Sequence, residues 1–386
     1  MFLQIHYLTS YHASLLNRDD AGLAKRITFG GVPRLRISSQ SLKRHWRLWM
    51  MDRTDLPTAT RTRYFFERQI KRRLVQDGLP EEVAHELTYV LGTQILTSAE
   101  SREALDRTNL RLKQPILFGE VEADYLVNLI KEAAETGSLE EAKRRLAEYV
   151  SDAKSNFRIL LQQAKLPAGF EGALFGRFVT SDILTRVDAP VHVAHAFTTH
   201  ALDTEVDYFT AVDDLAEGET GAAHAGDMEL GSGLFYGYVA VDIPLLVRNL
   251  TGTEARQWKN EDLEDTLKLL ELLVKAVATV SPGAKLGSTA PHARADFILL
   301  ELGTSQPRSL ANAFLKPIEL NTRHHAMEQS VEAIARYLDG LETMYGQPEE
   351  TRFVASLHAW PRTYETRVSL PQAIEGIQEA LRSYTR

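Results

Sequence analysis

The chain has 386 residues, 44% hydrophobic and 25% charged, with a formal net charge of −8 and no cysteine. That length exceeds a usual single domain, so either one large core with a substantial insertion or two domains are expected, with the composition of a globular protein. Disulfides, thiolate metal sites and cysteine nucleophiles are excluded, which fits a reducing cytoplasm; Met1 to Tyr7 lacks the basic n-region and long apolar run of a signal peptide, and no run reaches the roughly 18 apolar residues of a membrane span.

In chain order, Phe2 to Leu8 mixes aromatic and branched residues and predicts a first strand. Leu16-Asn17-Arg18-Asp19-Asp20 follows, then Phe29-Gly30-Gly31 and the basic run through Arg44. Ser39 or Ser41 suits a helix N-cap. Beyond it Gln40, Lys43, Arg44 and Arg47 fall on one helical face, while Leu42, Trp46, Trp49 and Met50 gather on the other. A helix start offers backbone N–H groups and the positive end of a dipole, so a cationic face there makes an anion site. A solvated face of an ordinary amphipathic helix has the same spacing.

From about Leu56 to Lys165 the chain is helix-rich: Glu81 to Leu91, Glu122 to Glu135 and Leu139 to Gln163 show apolar spacing of three and four, interrupted by Gly92 and by Thr136-Gly137-Ser138. This predicts a helical insertion. Strand signals resume with Gly176 to Ser181 and with Val191 to Thr199, which alternates and is rich in branched residues. Asp203 to Gly233 is polar and rich in acid and glycine, and precedes an apolar strand from Leu234 to Val241. An excursion of that length is functional or disordered. Tyr208-Phe209 near its start either stack on nucleobases or pack back on the sheet. Further helices are expected over Glu264 to Val280, Met327 to Tyr345 and Leu370 to Tyr384, with a strand at Asp296 to Glu301. The order of elements predicts an α+β fold, an antiparallel sheet with helices on one face.

The net charge hides an asymmetry. Between Arg18 and Arg73 there are 15 Lys+Arg against 5 Asp+Glu, whereas the remainder carries 29 against 47. A basic N-terminal region beside an acidic remainder suits one polyanion-binding surface, and also suits copies that associate basic region to acidic region.

Catalytic and metal constellations are weak. His192 and His195, three apart on a predicted strand, point to opposite faces, and His200 lies beyond them. HExxH, GxSxG and nucleotide-binding glycine patterns are absent. Asp213-Asp214 reads as turn-forming or as a partner contact. Gly30-Gly31 permits close approach of the backbone to a sugar-phosphate chain. If Arg36, Lys43, Arg44 and Arg47 each neutralise one phosphate, binding to a single strand falls with salt at a slope of about −3. Several copies on one strand would strengthen so weak a grip.

The runs LNRDD, FGGVPRLRISSQSLKRHWR, VAHAFTTHALDTEVDYFTAVDDL, SGLFYGYVAVD, PGAK and SLANAF, spread in order from Leu16 to Phe314, closely resemble the CasC family, the backbone subunit of the type I-E CRISPR Cascade complex. The resemblance implies an RRM-like (ferredoxin-like) palm from 1–55 and 166–386, helical fingers from 56–165 and a thumb hairpin at 200–233. It implies no catalysis, no cofactor and no metal. Its implied partners are CRISPR RNA, target DNA, other copies of the chain and the subunits CasA, CasB, CasD and CasE. Several copies would line the guide, each thumb flipping out a nucleotide while the RNA itself reads sequence. By the same resemblance Ser39, Gln40, Lys43 and Arg44 lie on the guide-contacting helix, with Arg36 just before it and Arg18 and Lys25 on the same basic surface. Phe209-Thr210 lies near the wedge, Phe178 occupies the position of a family methionine, and Lys285 matches a segment near the RNA, followed by a less basic Leu286-Gly287. An RNA-processing nuclease is the alternative, with His45 as its nearest general base.

Overall fold

The computed structural model describes residues 1–96, 104–135, 137–149, 166, 168–177, 186–211, 224–320 and 325–385. Its strands are β1 Phe2–Ser14, β2 Arg26–Phe29, β3 Val32–Ile37, β4 Ala59–Thr62, β5 Ile116–Gly119, β6 Val191–Val193, β7 Ala196–Thr198, β8 Thr204–Ala211, β9 His224–Asp242, β10 Phe297–Gly303, β11 Glu350–Ser356 and β12 Thr366–Arg367. Two compact units result. The first combines Met1–Arg53, His192–Asp242 and Leu267–Arg386; the second combines Thr54–Val191 and Ile243–Thr266.

In the first unit the sheet runs β12-β11-β10-β1-β9-β7-β3-β2, antiparallel except for the β11–β12 pair. Strand β1 lies between β9 and β10, with Ile5 opposite Val239 on one side and Leu300 on the other. Strand β10 buries Phe297 and Leu299 on one face and Ile298, Leu300 and Leu302 on the other, so both faces need cover. One face presents Leu8, Leu299 and Val354 to Val331, Ile334 and Leu338 of helix Ala326–Tyr345. On the other, Phe353 lies so close to Gly376 of helix Leu370–Ser383 that a Cβ there would sit 2.3 Å from its ring. The sheet therefore carries helices on both faces rather than one.

The late helices, Glu264–Thr279, Ala326–Tyr345 and Leu370–Ser383, lie within two residues of their expected bounds. The last opens on a reciprocal capping box between Ser369 and Gln372. The expected single strand from Val191 to Thr199 is two short strands, both paired with β9, with the pairing interrupted at Ala194-His195, where the His195 ring bonds the start of a helix. The expected strand from Gly176 to Ser181 is described only as far as Arg177, which bridges to Val187.

The second unit pairs β4 with β5 and closes a core around Phe65, Phe66 and Phe118; the Phe65 and Phe118 rings stack 3.8 Å apart. Helix Glu81–Ile95 continues through Gly92 instead of stopping there. A Cβ at Gly92 would lie 2.6 Å from Leu105 Cδ2 and 3.2 Å from Phe66, so this glycine admits close packing rather than ending the helix. Helix Glu120–Ala134 matches its expected span to within two residues, and residues 139–149 are helical. Among the described residues no helix is long and apolar enough to cross a membrane.

Candidate nucleic-acid interface

The interface is built on the first unit, from the β2–β3 hairpin upward. Its two-residue turn, Gly30-Gly31, has φ of 63° and 80°, the left-handed pair that a tight hairpin requires. A Cβ on Gly30 would stand 1.8 Å from the Leu315 carbonyl oxygen. The close approach expected of this glycine is thus to the protein's own backbone, not to a sugar-phosphate chain. Arg34 fixes the hairpin from beneath. Fully buried, it donates to the carbonyls of Phe29 at 3.2 Å, Thr198 at 2.8 Å and Phe314 at 2.8 Å.

The LNRDD run is a clasp. Asp19 Oδ1 accepts the Ala21 and Leu23 N–H groups, each at 2.9 Å, which closes the turn that exposes Arg18. The Asn17 carbonyl accepts from Lys25 N at 2.8 Å, and its side-chain Oδ1 accepts from Ser38 N at 2.9 Å. Arg36 N in turn donates to the Lys25 carbonyl at 2.8 Å. Residues 17, 25, 36 and 38 are therefore held together by backbone-directed bonds. From β9, the buried Glu229 accepts the Ala24 N–H at 2.8 Å and pairs with Arg26.

Helix α1 spans Ser39–Met51, and its N-cap is Ser38, one residue before the earlier of the two expected caps. Ser38 is extended, and its hydroxyl accepts from Ser41 N at 3.3 Å. Leu42, Trp46 and Met50 are buried and Trp49 is half-buried; Gln40 and Arg44 are exposed, Lys43 and Arg47 half-buried. The cationic and apolar faces separate as the spacing predicts. The free backbone donors expected at this helix start are largely engaged: Ser38 N by Asn17, Ser39 N by His195 Nδ1 at 2.9 Å and Ser41 N by the cap. Burial lowers the His195 pKa, and the positive charges of Arg36, Lys25 and Lys43 lower it further. An uncharged imidazole thus stands among three of the cations singled out in the sequence.

Lys285 joins the same surface from the far end of the chain. Ala284 N donates to the Leu15 carbonyl at 2.9 Å, which ties the PGAK segment to the residue preceding LNRDD. The half-buried Lys285 then leads into a short turn of helix, Leu286–Thr289.

The described residues of the polar excursion form a two-stranded ribbon. Strand β8 pairs with the outer part of β9 from Thr204 opposite Gly231 to Ala211 opposite His224; Gly231 also pairs with Ser14 of β1. Val206 and Tyr208 remain 72% and 65% exposed, so Tyr208 does not pack back on the sheet. Phe209 stands opposite Gly226 and Thr210 opposite Ala225. Phe178 and the Asp213-Asp214 pair lie outside the described residues.

Arg18, Lys25, Arg36, Ser39, Gln40, Lys43, Arg44, Arg47 and Lys285 thus belong to one clasped region, while Phe209 and Thr210 lie along the ribbon. Ser39 is almost fully buried and serves through its backbone. Sequence reasoning missed three residues that assemble the region: Asn17, His195 and Glu229. Asn17 had a signal, since an asparagine in an Asp-rich irregular run commonly bonds to backbone nearby. The partners of His195 and Glu229 lie 156 and 205 positions away, beyond any local pattern. His45 bonds its own helix through Nδ1 to the Ser41 carbonyl at 2.8 Å.

What the arrangement can do chemically is hold an extended anion by its backbone. Cations on loops anchored by backbone bonds, with the exposed Tyr208 on the ribbon, are groups of the kind suited to that end. Among the described residues no group of three or more His, Asp or Glu is placed to hold a metal ion.

Two solved structures are similar over nearly the whole chain. A chain of a CRISPR RNA-guided surveillance complex in a pre-nicking state is 24% identical, with a TM-score of 0.79 over 98% of this chain and 100% of that one. A chain of a second CRISPR RNA-guided surveillance complex is 21% identical, with a TM-score of 0.59 over 99% of this chain and 100% of that one. At these identities the likeness is one of fold. No curated protein matches the sequence. The family model for CT1975-like protein, a Cas family, matches residues 3–381, and the chain belongs to that family.

Proposed function

We propose that this chain is a non-catalytic CRISPR-RNA-binding backbone subunit of a type I-E Cascade surveillance complex, a member of the CasC group. In this reading residues 1–55 and 166–386 serve as an RRM-like palm, 56–165 as fingers, and 200–233, with the β8–β9 ribbon, as the thumb. Copies polymerise along the guide spacer in the cytoplasm and present its bases to target DNA, with CasA, CasB, CasD and CasE as further partners. The observation that carries the reading is the clasp around Asn17, which gathers Lys25, Arg36 and the start of α1 into one cationic surface. Family membership and likeness to chains of CRISPR RNA-guided surveillance complexes support it. So does the kind of contact offered: cations grip phosphates without reading bases.

Multi-angle light scattering of the purified protein, with and without CRISPR RNA and the partner subunits, tests the proposal. A guide-dependent rise to a complex with several copies of this chain is expected. A protein that stays monomeric and leaves the RNA free would overturn it. Labelled CRISPR RNA, incubated with and without metal, addresses the nuclease alternative. Specific cleavage lost in His45→Ala would replace the scaffold reading with an enzymatic one.

A further inference from the structure

His195 occupies an unusual place in this surface. It follows β6 and precedes β7 at the break between them, and its ring leaves the sheet to reach the first turn of α1. Because Ser39 N–H donates to Nδ1 at 2.9 Å, that nitrogen is the acceptor and the proton of the neutral ring must sit on Nε2. The residue is exposed, and Lys25, Arg36 and Lys43, from the approach to β2, from β3 and from α1, are the charges that act on it. These cations disfavour a second proton on the ring, and the Ser39 bond would have to break to admit one. The imidazole thus takes in the helix N–H at one nitrogen and presents a donor of the same kind at the other. The positive end of α1, engaged at Ser39, is passed outward through the ring.

We propose that His195 Nε2–H is an uncharged, tautomer-locked donor to a phosphate oxygen of the bound RNA backbone, set by Ser39 among the cations Lys25, Arg36 and Lys43. This rests on the RNA-binding reading above. A lysine at the same place would add counterion release; an imidazole held neutral adds a directed bond without it.

The test uses fluorescence anisotropy of the full-length protein with labelled single-stranded CRISPR RNA across a salt series. His195→Asn keeps an acceptor where Nδ1 stood, so the Ser39 bond survives, but has nothing at the Nε2 position. The expected result is an unchanged Tm, affinity weaker by about tenfold, and an unchanged slope of log affinity against log salt. A His195→Asn variant that binds as tightly as the wild type would reduce His195 to a helix cap and overturn the proposal. A slope flattened by about 0.7 would mean a charged imidazolium, and would overturn it equally. Should the variant lose Tm, the ¹⁵N resonances of wild-type His195 decide: Nε2–H retained and shifted on adding RNA is expected, and an unshifted resonance refutes the contact. Wild-type protein that binds no RNA would refute the RNA reading itself, a failure distinct from that of the variant.

Discussion

The side-chain oxygen of Asn17 accepts the backbone N–H of Ser38 at 2.9 Å, joining two segments 21 residues apart in sequence. Ser38 is buried and caps α1, so this bond sets where the cationic helix starts relative to the Arg18 loop. Asn17→Ala strands a buried donor, at a cost of about 1–3 kcal/mol. Hydrogen exchange at Ser38 is expected to quicken in Asn17→Ala and to return toward wild type in Asn17→Asp, which keeps the acceptor. Equal protection in all three would show that the clasp does not hold the helix start.

Lys43→Ala combined with Arg44→Ala removes two cations from α1 and leaves its buried Leu42, Trp46 and Met50 untouched. Affinity for CRISPR RNA should fall to a similar extent for unrelated spacers, and the salt slope should flatten by about 1.4. Anisotropy titrations against several guides measure both. A loss confined to some spacers would point to base reading by these residues.

Val206 stands directly opposite Glu229, so a two-residue Asn-Gly turn can replace 207–228 and keep Glu229 bound to Ala24 and Arg26. The shortened chain should keep the circular dichroism and Tm of the parent and form smaller assemblies on guide RNA in light scattering. Assemblies of full size would remove the ribbon from the assembly mechanism.

Part of the acid sensitivity should originate at His6. Wholly buried, it accepts from the Tyr236 hydroxyl at 2.9 Å through Nδ1 and donates through Nε2 to Glu301 at 3.0 Å. Burial pushes the His6 pKa below its ordinary 6.5, against the pull of Glu301. Burial would raise Glu301, but the bond from His6 and the charges of Arg308 and Arg352 hold it below the usual carboxylate range. Both groups have depressed values in the fold, so the unfolded chain takes up protons first. The contribution of this pair is full above 6.5, declines as pH falls through the His6 range, and declines again as Glu301 is protonated. Thermal unfolding against pH should therefore show a flatter upper limb in His6→Gln, and an unaltered profile would clear His6 of the effect.

Gly30 and Gly31 share the hairpin turn but not the same surroundings. A Cβ at Gly31 meets nothing within 4 Å, whereas at Gly30 it collides with the Leu315 carbonyl. Gly31→Ala should cost about 1–2 kcal/mol, the strain of left-handed backbone, and Gly30→Ala clearly more. Denaturant unfolding of the two variants compares them. Equal costs would mean the Leu315 backbone yields.

Local signals carried much of the fold into the sequence. Leu42, Trp46 and Met50 announce α1 because their spacing is that of the helix they build. The double covering of the sheet was half visible, in the apolar run Phe297 to Leu300 of β10. Gly92 misled because its role is to admit Leu105 and Phe66, which only the packed core reveals. The cations of the candidate interface were legible as a charge pattern. What joins them was not, since Asn17–Ser38, His195–Ser39 and Glu229–Ala24 are single bonds between distant segments.

Strand β9 is one uninterrupted element of 19 residues, about 60 Å if fully extended. Its outer half is one arm of the ribbon, and its inner half is the neighbour of β1, deep in the sheet. The ribbon is therefore a lever with no separate hinge on this arm. A load applied at Ala211 and His224 is carried along one backbone toward Val239 and Val241, where rows of ladder bonds share it, and should be felt as strain in the middle of the sheet.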